Sequence, residues 1–218
     1  MYRMLKRIID FIFALSGIMV LSPIFIILII AIKVDSKGPI LFKQKRVGLN
    51  RTYFNILKFR TMYIDTPKDK ATHLLENPEQ YITRVGAFLR RTSLDELPQL
   101  WNILLGQMSI VGPRPALWNQ YDLIDEREKY GANNIRPGLT GWAQINGRDE
   151  LLIPVKARFD GEYVQKMSFQ FDCKCFIKTI TCIFKHEGVV EGGTGNLKYS
   201  NADIAITKEV VMREDVTE

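Results

Sequence analysis

Apolar residues run without a single charge from Phe11 to Ile32 (FIFALSGIMVLSPIFIILIIAI). As a helix this stretch is roughly 33 Å long, enough to cross the hydrocarbon core of a bilayer. Ser22-Pro23 interrupts its centre. Pro23 has no N–H for the carbonyl of Met19 and its ring crowds that turn, so a bend is expected there. Arg3, Lys6 and Arg7 precede the run, and Lys33, Lys37, Lys43, Lys45 and Arg46 follow it. Flanking positive charge favours the cytoplasmic side of a membrane, and here both ends carry it. A kinked single-pass span meets this pattern. So does a helix that enters one leaflet, turns at Ser22-Pro23 and returns. A signal peptide fits less well, because the run is long for one and no A-x-A-like site follows.

Further along, ILFKQKRVG and RTYFNILKF are strand-like about the turn residues Gly48-Leu49-Asn50, which predicts a hairpin over 40–59. Residues 66–78 are polar, with prolines at both ends, and read as a loop or short helix. RVGAFLRR (84–91) is a short basic amphipathic stretch. LDELPQLWNILL (94–105) predicts a helix with Leu97, Leu100, Trp101, Leu104 and Leu105 on one face, stopped by Gly106. SIVGPRP (109–115) reads as a short strand running into a stiff turn, 122–130 as a charged helix, and 136–148 as a glycine-rich functional loop. In 172–186, Phe176, Ile177, Ile180, Ile183 and Phe184 form a continuous helical face, with Asp172 as candidate N-cap, Gly188 beyond the end, and Lys174, Lys178 and Lys185 adding charge. That face belongs either in a membrane interface or on the domain core. The pattern gives an α/β (α+β) chain, mostly helical, with one hairpin.

Composition narrows the partners. Once an N-terminal membrane segment is set aside, about 180 of the residues remain, enough for one domain with a sizeable core. The net charge of +6 is uneven: residues 33–60 hold eight Lys/Arg against Asp35 alone, whereas 198–218 hold three bases and five acids. A basic zone just after a membrane segment suggests anionic headgroups or a phosphate-rich substrate. No nucleic-acid-binding signature accompanies the charge. Cys173, Cys175 and Cys182 contain no C-x-x-C pair, which argues against structural zinc and fits a reducing cytoplasm.

Asp95-Glu96 is the strongest chemical candidate. Neighbouring carboxylates on a helix point about 100° apart and so have different jobs. One is placed to attack phosphorus, the other to hold a metal or orient the first. The competing reading is a capping box, Ser93-x-x-Glu96, although Pro98 sits better if the helix starts nearer Asp95. Arg114 stands between Pro113 and Pro115, a stiffened guanidinium for a phosphate or a plain surface arginine. Lys58 and Arg60 share one face by period two and either bind a diphosphate or edge a solvated strand. Arg136 and Arg148 bracket a loop whose Trp142, Gln144 and Asn146 are suited to reading a nucleobase or sugar.

These pieces occur together. A basic N-terminus precedes Ser22-Pro23 in an apolar run, followed by Lys58-Phe59-Arg60-Thr61-Met62 and Arg91-Thr92-Ser93-Leu94-Asp95-Glu96-Leu97-Pro98-Gln99. Val111-Gly112-Pro113-Arg114-Pro115 and Arg136-Pro137-Gly138-Leu139-Thr140-Gly141-Trp142-Ala143-Gln144 complete the set. In this order, over nearly all of residues 1–190, they resemble the bacterial sugar transferases, the small monotopic phosphoglycosyl transferases that start glycan assembly on a polyprenyl phosphate. The resemblance implies a re-entrant membrane helix within 1–36 bent at Ser22-Pro23. A catalytic domain over 37–197 with amphipathic interfacial helices would follow, at the cytoplasmic face of the bacterial inner membrane, and then an acidic tail over 198–218. It points to the short class, without extra membrane helices.

It further implies Asp95 and Glu96 as catalytic dyad and Mg²⁺ ligands. A sugar-1-phosphate would pass from a UDP-sugar to polyprenyl phosphate (undecaprenyl phosphate) with release of UMP, through an aspartyl-phosphosugar. Such a step initiates capsule, exopolysaccharide, O-antigen or glycoprotein glycan synthesis. On this view Arg91 and Arg114 stabilise phosphate charge. Lys58 and Arg60 face the same phosphates or a headgroup, and Arg136, Gln144 and Arg148 line the substrate. A homodimer is left open. The rivals are a non-catalytic protein binding anionic lipid at the membrane surface, and a phosphohydrolase working through an aspartyl phosphate.

Overall fold

The computed structural model describes residues 2–66, 78–147 and 151–185. The acidic tail, most of the polar 66–78 segment, Arg148, and the side chains of Ile183, Phe184 and Lys185 lie outside that description. The apolar run forms a 34-residue helix, α1 (Tyr2–Asp35), continuous through Pro23. The Ser22 hydroxyl donates to the Met19 carbonyl at 2.8 Å, the acceptor that Pro23 leaves without an N–H. By length and composition α1 is able to cross a membrane, and only 11% of its most apolar 18-residue window is buried. Its covered stripe follows helical spacing. Asp10 and Ala14 face inward at one end, Leu28 and Ile32 at the other, and Gly17 lets Leu100 approach between them.

The expected hairpin is present: β1 (Leu41–Val47) pairs antiparallel with β2 (Tyr53–Phe59), Leu41 opposite Phe59 and Val47 opposite Tyr53. The reversal takes Asn50 and Arg51 to positive φ, 51° and 60°. Period two then sorts the hairpin: Lys43, Lys45, Tyr53 and Asn55 are exposed, while Ile56 on the other face is buried. Ile56 packs with Ala14, Ile103 and Met108, and Phe59 with Leu28, Ile32 and Leu89, so α1 and the hairpin share two adjoining cores.

The short basic stretch is helix α2 (Arg84–Arg91), capped by Thr83, whose hydroxyl accepts from the Gly86 N–H. Gly86 is obligatory, because a Cβ there would stand 2.0 Å from the Thr61 carbonyl oxygen. The segment expected as one helix over 94–105 is instead a 3-10 turn, Leu94–Glu96, then α3 (Gln99–Leu104) entered through Pro98. Its inward face is only partly the expected one, for Leu97, Leu100 and Leu104 pack against the two cores as expected. Gln99, Asn102 and Ile103 face inward, whereas Trp101 and Leu105 are exposed. Gly106, at φ 80°, closes it as expected.

Strand β3 (Ser109–Val111) pairs in parallel with β4 (Gly138–Thr140). The glycine-rich segment is therefore partly strand rather than wholly loop. Its glycines serve close packing: a Cβ on Gly138 would meet the Gly112 nitrogen at 2.1 Å, and one on Gly141 the Gly112 oxygen at 2.0 Å. The charged helix is α4 (Tyr121–Glu128). Helix α5 (Ile153–Lys166) was not marked by apolar periodicity, because several of its buried positions are Ala157, Asp160, Gly161 and Tyr163. A buried pair, Arg127 and Asp160 at 2.6 Å, joins α4 to α5. Burial pushes the Asp160 carboxyl up, against the pull of Arg127.

Helix α6 (Phe169–Lys185) starts three residues earlier than Asp172, so Asp172 is not its N-cap. It is an interior anchor whose carboxylate accepts from the Tyr2 hydroxyl, the Lys6 ammonium and the Tyr163 hydroxyl at 2.5, 2.5 and 2.7 Å. Farther along the helix Phe176, Ile177 and Ile180 are exposed rather than packed on the core.

Candidate active site

Asp95 and Glu96 are presented by a sharp reversal. Helix α2 ends at Thr92, and Ser93 takes the left-handed conformation, φ 57° and ψ 15°, before the 3-10 turn. The capping box does not form, because the Ser93 side chain makes no cap bond and Glu96 points elsewhere. Glu96 Oε1 accepts from the Lys58 ammonium at 2.7 Å and from Arg114 Nη2 at 3.2 Å. Lys58 Nζ is also 3.8 Å from Asp95 Oδ2. Lys58 comes from the inward face of β2, and Arg114 from the proline-stiffened turn after β3. Three segments distant in sequence thus converge on one carboxylate pair.

The two acids differ electrostatically. Burial pushes the Asp95 carboxyl above the ordinary aspartate value; Lys58, Arg90 and Arg114 oppose it and Glu96 adds to it. Burial also works against the Glu96 charge, but the Lys58 and Arg114 charges and hydrogen bonds outweigh it and hold Glu96 down at about 2. Glu96 is therefore an ionised anchor for two cations. Asp95 is a desolvated carboxylate whose ion pair to Lys58 is long. Their side chains keep 13% and 19% exposure, enough for a ligand to reach them. A carboxylate stripped of water and only partly neutralised is a competent nucleophile toward phosphorus.

Other expected site residues are placed differently. Arg60 is buried and donates to the carbonyls of Ile32, Ser36 and Lys37 and to the Ser36 hydroxyl. It closes the C-terminal end of α1, where a cation complements the helix dipole, and does not share the site with Lys58. Strand β2 ends at Phe59, so period two stops applying one residue before it. Arg91 is exposed, and its neighbour Arg90 is the one whose charge acts on Asp95 while its Nε donates to Thr61 Oγ1. Helical spacing from buried Gly86 to Arg90 is the signal that identifies it.

Arg136 Nε donates to the Gly106 carbonyl at 2.9 Å, and Gln144 Nε2 to the Leu139 carbonyl at 3.3 Å, so both brace loops. Arg148 lies outside the described residues. Trp142 is enclosed by Phe159, Phe171, Lys174 and Lys178, with its indole N–H on Glu162, and Asn146 donates to the Trp142 carbonyl. Those groups cement α5 and α6 rather than opening toward a base.

Among the described residues no group of three or more His, Cys, Asp or Glu comes together as a metal cage. Magnesium needs none: it is held by one or two carboxylates together with substrate phosphates. The under-neutralised Asp95 beside Glu96 fits that mode.

The comparisons with known proteins give the family. Residues 1–186 match the family model described as bacterial sugar transferase. The chain is 41% identical over 187 residues to an undecaprenyl-phosphate glucose phosphotransferase of Komagataeibacter xylinus, covering 80% of this chain and 35% of that protein. It is 40% identical over 186 residues to a UDP-glucose:undecaprenyl-phosphate glucose-1-phosphate transferase of Escherichia coli (strain K12), covering 82% and 40%. The chain thus spans less than half the length of these two. It is 36% identical over 204 residues to the exopolysaccharide production protein ExoY of Rhizobium meliloti (strain 1021), covering 85% and 88%. With a family model matched along most of its length, this chain belongs to the bacterial sugar transferase family.

Proposed function

We propose that this chain transfers a sugar-1-phosphate from a UDP-sugar to undecaprenyl phosphate and releases UMP, an initiating step of surface polysaccharide synthesis. The observation that carries the reading is the desolvated Asp95–Glu96 pair with Lys58 and Arg114 converging on it. The relatives' names supply the substrate classes. In the first half-reaction an Asp95 oxygen attacks the sugar-bearing phosphorus of the donor. The bond from that phosphorus to the bridging oxygen breaks, and UMP departs with the electron pair. In the second, an oxygen of the lipid phosphate attacks the same phosphorus and the Asp95–phosphorus bond breaks, restoring the carboxylate. One phosphate site thereby serves a soluble donor and a membrane-bound acceptor in turn.

Arg114 and Arg90 stabilise charge on the phosphoryl oxygens, while Lys58 keeps Glu96 ionised and in place. Mg²⁺, held by Asp95 and Glu96 with the diphosphate, would supply charge neutralisation to the donor.

The contacts that α1 makes support the membrane reading. Near one end, Arg7 donates to the Ile103 and Leu104 carbonyls, and Asp10 accepts from Ser109 Oγ and the Ile110 N–H. Near the other, Arg60 takes the last carbonyls and Asp35 accepts from the Val85 N–H. A full crossing would put those two sets of contacts on opposite sides of the bilayer. A helix held within one leaflet and turned at Ser22-Pro23 keeps both ends at the cytoplasmic face of the inner membrane.

Intact-protein mass spectrometry with UDP-sugar and no acceptor tests the chemistry. A phosphosugar adduct with UMP release, abolished by Asp95→Asn, is expected. An adduct that survives Asp95→Asn overturns the assignment. Release of UDP would mean ordinary glycosyl transfer, and salt-sensitive vesicle binding without any turnover would mean a lipid-binding protein.

A further inference from the structure

The three segments that meet at the dyad also meet at one buried residue away from it. Asn102, in α3, is 1% exposed. Its Oδ1 accepts from the Leu57 N–H at 2.9 Å and its Nδ2 donates to the Asn55 carbonyl at 2.9 Å. These are the two groups that the outer edge of β2 would offer to a third strand, so one side-chain amide replaces a strand and fixes α3 against β2. The same Nδ2 donates to Gln107 Oε1 at 2.7 Å. The Asn102 carbonyl accepts the Gln107 and Met108 N–H groups at 2.9 and 3.2 Å, in the turn that leads into β3. Lys58 is the residue after Leu57, the dyad precedes Asn102 on its own segment, and Arg114 follows β3.

We propose, resting on the reading of Asp95–Glu96 as the catalytic pair, that Asn102 is the positioning residue of this site. Through the Leu57 and Asn55 backbone it sets the Lys58 ammonium against Glu96 and Asp95, and through the 107–108 turn it sets the start of β3. Asn is specific for this role. An aspartate keeps the acceptor for Leu57 but has no donor for Asn55 or Gln107, and a leucine of similar size leaves both strand groups buried and unpaired. Lys58 reaches the dyad by a flexible side chain, so small displacements of β2 change its distance to two carboxylates at once.

The test is a double-mutant cycle on the full chain in detergent micelles, with turnover read as UMP release. Asn102→Asp and Asn102→Ser are each made alone and together with Lys58→Met, with folding checked by circular dichroism and thermal melting. The single changes are expected to lower kcat by about tenfold or more, Ser beyond Asp, with donor KM within about threefold. In the Lys58→Met background the same changes are expected to cost less than about twofold further, because residues acting through one another are not additive.

Wild-type turnover in Asn102→Ser overturns the proposal. So do losses that multiply independently of Lys58, the behaviour of a merely structural residue. A variant that does not fold is replaced in the cycle by Asn102→Thr, judged by the same two outcomes. Activity surviving Asp95→Asn would instead remove the catalytic reading itself, so the two failures are distinguishable.

Discussion

The Lys58 ammonium stands 2.7 Å from Glu96 Oε1, and the same nitrogen is 3.8 Å from Asp95 Oδ2. One cation thus serves two adjacent carboxylates unequally. Glu96 receives a short charge-assisted bond and Asp95 a longer-range attraction. The inequality divides the pair into an anchor and a candidate nucleophile.

The pH dependence of turnover follows from that division. The Asp95 value is raised, so the acid limb of kcat/KM is expected above the ordinary aspartate range. Lys58→Met removes a charge that lowers it and should move the limb upward by about one pH unit; Glu96→Gln removes a charge that raises it and should move the limb downward. A limb that stays in place in both variants would detach it from Asp95. For stability the sign is set by Glu96, whose folded value is depressed. Its contribution is present above its ordinary 4.5 and is lost as pH falls toward about 2. Acid unfolding of Glu96→Gln should lack that component.

Arg60 is expected to act on the fold and not on substrate. Arg60→Met removes charged hydrogen bonds to the end of α1 and should cost about 2 kcal/mol or more. Donor KM should remain within about twofold of wild type. Chemical denaturation and steady-state kinetics measure the two. A raised KM with unchanged stability would return Arg60 to the phosphate site.

The neighbouring arginines should separate cleanly. Arg90→Met takes away a charge acting on Asp95 and is expected to lower kcat/KM by about tenfold. The exposed Arg91 should tolerate the same change within about twofold. Equal losses would contradict the placement of α2.

Topology is checked by labelling. In a chain freed of Cys173, Cys175 and Cys182, single cysteines at positions 2 and 36 should both react from the cytoplasmic side. Reaction from opposite sides means a spanning helix. Pro23→Ala restores a backbone donor for the Met19 carbonyl, now served by Ser22, and should shift part of the population toward spanning.

Much of the fold was legible from local pattern. The apolar run, the hairpin, the basic stretch that became α2 and the glycine stop at Gly106 each follow from periodicity or a turn residue. Pro98 argued against a helix begun at Ser93, but the dyad was still expected at the start of a helix, whereas it lies in a 3-10 turn ahead of one. Helix α5 was illegible because its inner face carries Asp160, Gly161 and Tyr163, residues that apolar counting ignores. Asp172 misled because a helix N-cap and a buried interior carboxylate are written with the same residue.

The site divides the same way. Sequence by itself determined that Asp95 and Glu96 are adjacent, that Pro113 and Pro115 stiffen Arg114, and that an apolar run carrying Ser22-Pro23 at its centre precedes a basic zone. Those are properties of composition and spacing, and they survive any packing. Only the tertiary structure decided which cations reach the carboxylates: Lys58 and not Arg60, Arg90 rather than Arg91. It also decided that Trp142 is a packing residue and that Asn102 ties three segments together. The reason is physical. Alternation and helical spacing say which face a side chain takes within one element, but the partner on that face comes from elsewhere in the chain. Burial then sets how strongly each charge is felt.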